Sequence, residues 1–307
     1  MILTSVIIIN YNTAHLTVQA VNSVWKYSNP ATTEIIVVDN ASSQEDYLEL
    51  QETLPEKPNT FLFRSRINLG FGGGNMYGVQ RARGSYYAFL NSDALLVEDS
   101  LKVMETFLDQ HPQVSIVGAR AVDEQNKPYK GFDHSLGLRR ELFGDGFLQL
   151  LNSRKFPSRR TNFKVPTKVG SVPGSFLFCR AMDFNQVGGF DTNLFLYYEE
   201  KDLSYRIMKE LGKVAYLLPE TQYIHLKGRS TPPSYPIMKE LRLSQFYVIR
   251  KNLGTFKYLT FYSFSFLKYL FKAPFSAKNR KYLGLLLRGA SLAESLKHQQ
   301  TLQPRST

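Results

Sequence analysis

The sequence predicts an α/β protein built on a twisted, mostly parallel sheet with flanking helices, followed by a basic helical tail. Three observations carry that reading. Two short β-branched runs, Ser5 to Asn10 (SVIIIN) and Glu34 to Asp39 (EIIVVD), are almost continuously apolar, as strands buried on both faces are. Stretches with apolar residues at helical spacing alternate with such runs, the pattern of βαβ units. The excess positive charge sits at one end: residues 226–307 carry fifteen Lys/Arg and two Asp/Glu, whereas residues 1–225 net −1.

The elements follow in order. After the first strand, Val18, Val21, Val24 and Trp25 recur at helical spacing within residues 13–27, with Asn12 or Thr13 as the cap. A third strand, Phe61 to Arg64, leads into a glycine-rich loop from Asn68 to Gly74 and a helix ending at Gly84. Strand Tyr86 to Leu90, a helix over 99–110 and strand Val114 to Val117 continue the alternation. Residues 120–170 break it; the stretch is polar, basic and punctuated by Pro and Gly (Ser153 to Arg160 reads SRKFPSRR), and it reads as a surface excursion over one face of the sheet. Order resumes with strand Ser175 to Arg180, a Gly188-Gly189 turn, a helix from Glu199 to Leu211 and strand Val214 to Leu218. A main unit over 1–235 is expected, in two halves (1–118 and 119–235), before the tail at 236–307.

Composition excludes several classes. A chain of 307 residues with 43% hydrophobic content has enough apolar surface for a globular core. One cysteine, Cys179, and five scattered histidines leave no intramolecular disulfide and no structural zinc cluster. Met1 to Ser5 runs straight into a strand pattern without a secretory signal, so a reducing, cytoplasmic setting is expected.

Ligands of open α/β sheets bind outside the carboxyl ends of the strands. Those ends read Asn10-Tyr11-Asn12, Asp39-Asn40, Arg66 to Asn68 with Gly70, and Asn91-Ser92-Asp93. Any one Asp or Asn there commonly just shapes its own turn. Together they suit a nucleotide: an aromatic for the base, a carboxylate for its imide or ribose donors, and Asp93 for a divalent ion against a diphosphate. The run Gly70 to Asn75 lacks the third glycine of a dinucleotide fingerprint and follows the third strand, which disfavours a dehydrogenase, and no P-loop occurs. A second constellation, Tyr197-Tyr198-Glu199-Glu200-Lys201-Asp202-Leu203, puts three carboxylates in the first turn of a helix. Acids there are also stabilised by the helix dipole, and Asp202 can pair with Arg206.

Taken together, SVIIINYN, EIIVVDNAS, NLGFGGGNMYG with RARGSYYAFLNSD, and GGFDTNLFLYYEEKDLSYR with IHLKGRS resemble the family 2 glycosyltransferases, and more narrowly their bacterial rhamnosyltransferase-like branch, over residues 4–230. The resemblance implies a GT-A fold, a nucleoside-diphosphate-sugar donor such as dTDP-L-rhamnose, a divalent metal (Mg²⁺ or Mn²⁺) and inversion at the anomeric carbon. Carried onto this sequence, it has Asp39 contact the nucleoside and places Asn91-Ser92-Asp93 at the metal-binding motif, of which only Asp93 is acidic. It has His225 help to hold metal or diphosphate, and aligns Glu199-Glu200 with the family's Glu-Asp pair, making Glu200 the base with Glu199 and Asp202 as fallbacks.

The tail adds a partner. Residues 256–275 hold nine aromatics, and the uncharged stretch Tyr258 to Leu267 is ten residues, about half of the ~20 needed to cross a bilayer. It reads as an interfacial segment on an anionic membrane, or as helices that pack on the catalytic unit or on a second subunit as a homo-oligomer. No nucleic-acid partner is expected. The enzyme expected from all this sits peripherally at the inner face of the cell membrane and extends a glycan or polyprenyl-linked saccharide of a surface polysaccharide. Two rivals make different demands. A nucleotidyltransferase of similar fold needs a basic loop that Asn10 to Thr17 lacks, and a non-catalytic binding module would tolerate alanine at Asp39, Asp93 and Glu200.

Overall fold

The structure is a computed structural model that describes residues 1–226 and 234–303. Thr4–Asn10 (β1), Thr33–Asn40 (β2), Thr60–Ser65 (β3) and Tyr86–Asn91 (β4) form one half of the sheet, and every pairing among them is parallel. Ala94–Leu96 (β5), Val114–Val122 (β6), Thr167–Val169 (β7), Phe176–Arg180 (β8) and Val214–His225 (β9) form the other half. There β6 and β9 run parallel, while β8 joins β4 and β6 antiparallel, and β5 and β7 join β9 antiparallel. The sheet order is β3-β2-β1-β4-β8-β6-β9-β5.

Alternation of side chains across the pleat divides the core in two. Val6 and Ile8 of β1 face a cluster formed with Ala14–Tyr27 (α1) and Ser100–Gln110 (α4), while Ile7 faces Gly70–Val79 (α3), Ala181–Gln186 (α6) and Glu199–Arg206 (α7). Gln44–Thr53 (α2) packs beside α1.

Several expectations shift. The glycine-rich run is not a loop: α3 begins at Gly70, runs through the glycines and stops at Val79, short of Gly84. The reason is proximity, since a Cβ on Gly78 would stand 2.7 Å from Ile7 and one on Gly74 would stand 3.0 Å from Ile9. Thr13 precedes α1 without capping it; the Asp46 carboxylate of α2 accepts from the Ala14 N–H at 2.9 Å instead. The 120–170 excursion contains the end of β6, a helix at Leu138–Leu151 (α5) kinked at Gly144, and β7. Helix α7 continues into a wider π-type turn over Ile207–Leu211, and β9 runs seven residues past Leu218.

The tail forms Tyr235–Leu253 (α8), Thr255–Lys272 (α9) and Ala277–Leu287 (α10), which enclose a third core with Leu138 and Leu142 of α5. It is attached to the acidic turn that opens α7, because Val248 of α8 is buried against Leu194 and Tyr198. Among the described residues no helix is long and apolar enough to cross a membrane.

Candidate active site

Parallel register brings the ends of β1, β2 and β4 side by side, with Asn10 opposite Asp39 and Ile9 opposite Asn91. Outside them lies a cavity of about 410 Å³, lined by Tyr11, Thr13, Asn40, Asn68, Gly70, Phe71, Asn91 and Ser92 on the sheet side and by Phe195, Leu196, Ser234 and Ile237 opposite. A second cavity of about 360 Å³ shares Phe71, Asn91 and Leu196 with it and carries Lys130, Arg159, Tyr197, Glu199, Glu200 and His225. The two constellations read from sequence thus open onto adjoining spaces, with Phe71 and Asn91 at the junction.

The first cavity is shaped by hydrogen bonds. The Asn40 amide donates to Asn68 Oδ1 (3.0 Å) and to the Gly70 carbonyl (3.1 Å), and its Oδ1 accepts from the Leu69 N–H (2.9 Å). Gly70 has φ +73°, and a Cβ there would stand 2.1 Å from the Phe195 carbonyl oxygen, which already accepts the Phe71 N–H at 2.8 Å. Only glycine allows that backbone crossing. Tyr11 is 43% exposed and available to a base.

Other expected contacts are committed elsewhere. Asp39 is fully buried and lines neither cavity; Asn10 donates to its Oδ1 (3.0 Å) and Arg64 Nε stands 3.2 Å from Oδ2. Burial raises its carboxyl, against hydrogen bonds from Ser42 and Asn10 and the Arg64 charge. The Asn10 amide also donates to Ser42 and Asp46, and Asn12 is held in a turn at φ +54° by Ser42 and Ser43. The three side chains are thus tied to one another and to their neighbours behind the strand ends. Arg66 is exposed and meets the backbone of Gln303.

Antiparallel pairing of Ala94 with His225 brings His225 Nε2 to 3.4 Å from Asp93 Oδ1. Asp93 is buried and the His225 ring reaches the second cavity. Among the described residues no group of three or more His, Cys, Asp or Glu is arranged to hold a metal. A carboxylate suits Mg²⁺ or Mn²⁺ where a diphosphate and water complete the shell, and the neighbouring imidazole suits the softer Mn²⁺ better than Mg²⁺, so the residues fit an ion that arrives with its substrate. Residues 227–230 of the IHLKGRS segment lie outside the described residues.

The acidic turn separates its three carboxylates. Tyr197 and Tyr198 precede it at φ 75° and 74°, left-handed conformations costing roughly 1–2 kcal/mol each for non-glycine residues. Tyr198 is held there by burial and by donating to Glu141 at 2.7 Å. Glu199 is 1% exposed, its Oε1 has no hydrogen-bond partner, and burial followed by repulsion from Glu200 pushes its carboxyl well above the usual range. Glu200 is partly exposed in the second cavity; burial raises it and the Lys201 charge opposes the rise. Asp202, the other fallback base, is placed as an anchor between helices. Fully buried, it accepts from Arg206 Nε (2.8 Å) and Asn252 (2.8 Å) and pairs with Lys251 (2.9 Å), which fastens α7 to α8.

Sequence reasoning did not single out Phe71, Phe195 and Leu196, or Lys130 and Arg159 of the excursion, all of which line the cavities. The SRKFPSRR cluster was the available signal for Arg159. Its guanidinium bonds Asp133 at 3.1 Å, and Asp133 in turn takes Lys201 at 2.9 Å.

Residues 5–188 match the family described as Glycosyl transferase family 2, more than half of the chain, and the chain belongs to that family. Among sequence relatives, an N-acetylglucosaminyl-diphospho-decaprenol L-rhamnosyltransferase of Mycobacterium tuberculosis is 41% identical over 63 residues, 20% of either chain. An uncharacterized glycosyltransferase of Rickettsia bellii is 26% identical over 68% of this chain and 28% of its own length. The poly(ribitol-phosphate) beta-N-acetylglucosaminyltransferase TarS of Staphylococcus aureus is 29% identical over 42% of this chain and 23% of its own. The chain therefore spans less than a third of each of these relatives. Solved structures agree on the GT-A fold. The mannosyltransferase PcManGT of Pyrobaculum calidifontis in complex with GDP-Man and Mn²⁺ has a TM-score of 0.55 at 13% identity, covering 94% of this chain and 85% of that one. S. aureus TarS 1-349 in complex with UDP-GlcNAc has 0.53 at 17%, covering 82% and 67%.

Proposed function

We propose that the protein transfers a sugar from a nucleoside-diphosphate sugar to a hydroxyl of a saccharide acceptor, with inversion. The observation that carries this is the junction of two cavities, one lined by strand-end Tyr11, Asn40, Asn68 and Asn91, the other holding Glu200. The nucleoside occupies the first and the reacting hydroxyl the second. Glu200 takes the hydroxyl proton as the acceptor oxygen bonds the anomeric carbon, and the electron pair of the breaking bond leaves with the diphosphate. Burial and repulsion from Glu200 raise the Glu199 carboxyl well above its ordinary range, which favours the protonated form that donates a hydrogen bond and leaves the base role to Glu200. Asp93 and His225 would hold a divalent ion, whose charge when bound stabilises the leaving diphosphate.

For the sugar we propose L-rhamnose carried by thymidine diphosphate, and for the acceptor a polyprenyl-linked saccharide. The short stretch shared with the mycobacterial rhamnosyltransferase supports both. The test is a panel of nucleotide sugars screened for protection against thermal unfolding, with and without Mn²⁺ or Mg²⁺. A donor at a hundred times its Kd should add about 2.7 kcal/mol of stability, with dTDP-L-rhamnose the strongest. A panel in which nothing raises the melting temperature contradicts the donor site.

A further inference from the structure

Helices α5 and α9 present apolar side chains to solvent on faces that no described part of the chain covers. On α9, Phe261, Ser265 and Tyr269 recur every fourth residue and are buried, while Phe256, Phe264, Leu267 and Phe271 occupy the opposite stripe and stay exposed, Phe271 by 73%. On α5, Phe143, Phe147, Leu150 and Leu151 form a second exposed stripe, with Leu150 at 83%. The stripes meet where the Phe143 and Phe264 rings stand 6.1 Å apart, so elements distant in sequence make one continuous surface.

Its charge is one-sided. Residues 241–293 contain ten Lys/Arg and no Asp/Glu, and Lys257, Lys268 and Lys272 lie exposed along α9. Burial, then the Arg242 and Lys272 charges, push the Lys268 ammonium down, as expected where like charges crowd together. The two acids of α5 turn inward: Glu141 meets Arg140 and Tyr198, and Asp145 meets Arg140 and Arg159.

We propose that this surface docks on an anionic lipid bilayer, with the phenylalanines and leucines in the headgroup region and the lysines against lipid phosphates. A second copy fits less well, because a two-fold pairing sets the same patch against itself and brings lysines together without acids. The surface also reaches the catalytic turn. Arg140 of α5 bonds Asp133 (2.7 Å), which bonds Lys201 beside Glu200 (2.9 Å). Docking needs neither donor nor turnover, so its failure and the failure of the transfer reading are separately visible.

The experiment is co-sedimentation of the full chain with vesicles of equal parts phosphatidylglycerol and phosphatidylcholine, or of phosphatidylcholine alone. Binding should require phosphatidylglycerol and weaken with salt. Phe143→Ser with Phe147→Ser, and separately Phe264→Ser with Phe271→Ser, should each lower partitioning about tenfold or more at unchanged melting temperature. Should either pair misfold, Phe147→Trp reports insertion through quenching by bromine-labelled lipid over the background of Trp25. Wild-type partitioning by both pairs, absence of quenching, or a wild-type dimer that these pairs dissociate while vesicles are ignored would overturn the proposal.

Discussion

Glu199 opens α7 with its side chain buried and Oε1 without a partner, so replacing it by glutamine tests whether it is neutral in the folded protein. Its carboxyl is raised above the ordinary value of 4.5, first by burial, then by Glu200. A group raised on folding keeps its proton where the unfolded chain has lost it. Its contribution is therefore whole below 4.5 and is lost as pH rises toward the folded value, at about 1.4 kcal/mol per pH unit. Glu199→Gln keeps the shape and cannot ionise, which removes that slope. The unfolding free energy of the variant minus that of the wild type should climb with pH above about 4.5, by at most about 1.4 kcal/mol per pH unit, until the folded value is passed, as measured by urea denaturation at about pH 5, 6 and 7. Shifts at Asp39, Glu105 and Glu200 are common to both proteins and largely cancel in the difference. Parallel profiles would show that Glu199 ionises in place, and the assignment of Glu200 as the base would lose its main support.

Three further outcomes follow from the geometry. Asp202→Asn leaves Lys251 and Arg206 facing an uncharged partner; because Lys251 is partly exposed the loss should be about 2–4 kcal/mol by urea titration, with kcat/KM kept in the folded fraction. A catalytic defect at full stability would instead restore Asp202 to the chemistry. Gly70→Ala forces a Cβ onto the Phe195 carbonyl at positive φ and should cost more than about 2 kcal/mol, with loss of nucleotide-sugar binding; a neutral variant would mean the crossing is looser than described. Burial raises Glu200, so the acid limb of kcat/KM should lie above pH 4.5. A limb at or below that value contradicts a buried base.

The strands were legible because β1 and β2 are buried on both faces and leave little but Val and Ile to read. Helix α3 was not. Its glycines carry no hydrophobic period, and what makes them helical is contact with Ile7 and Ile9 across a gap too narrow for a Cβ. The end of β9 was hidden by Pro219, Glu220 and Gln222, polar or ring-bearing residues at a register shift against β6. Helix α5 escaped because its apolar residues are split, Leu138, Leu142 and Leu148 turning inward while Phe143, Phe147, Leu150 and Leu151 point outward, so no single apolar face marks it. At the site, Asn40, Gly70, Asn91 and Glu200, read from strand ends and the acidic turn, line the two cavities. Asp39 and Asp202 were read as chemistry although their partners, Arg64 and Lys251, are brought to them only by folding.

The central claim is that Glu200 removes the acceptor proton while the donor binds in the neighbouring cavity. Comparing wild type with Glu200→Gln under the best donor from the panel tests both halves at once. Nucleotide-sugar affinity should be unchanged within about twofold and transfer reduced by about 10²- to 10⁴-fold. Transfer at the wild-type rate, or loss of nucleotide binding equal to the loss of transfer, would contradict it.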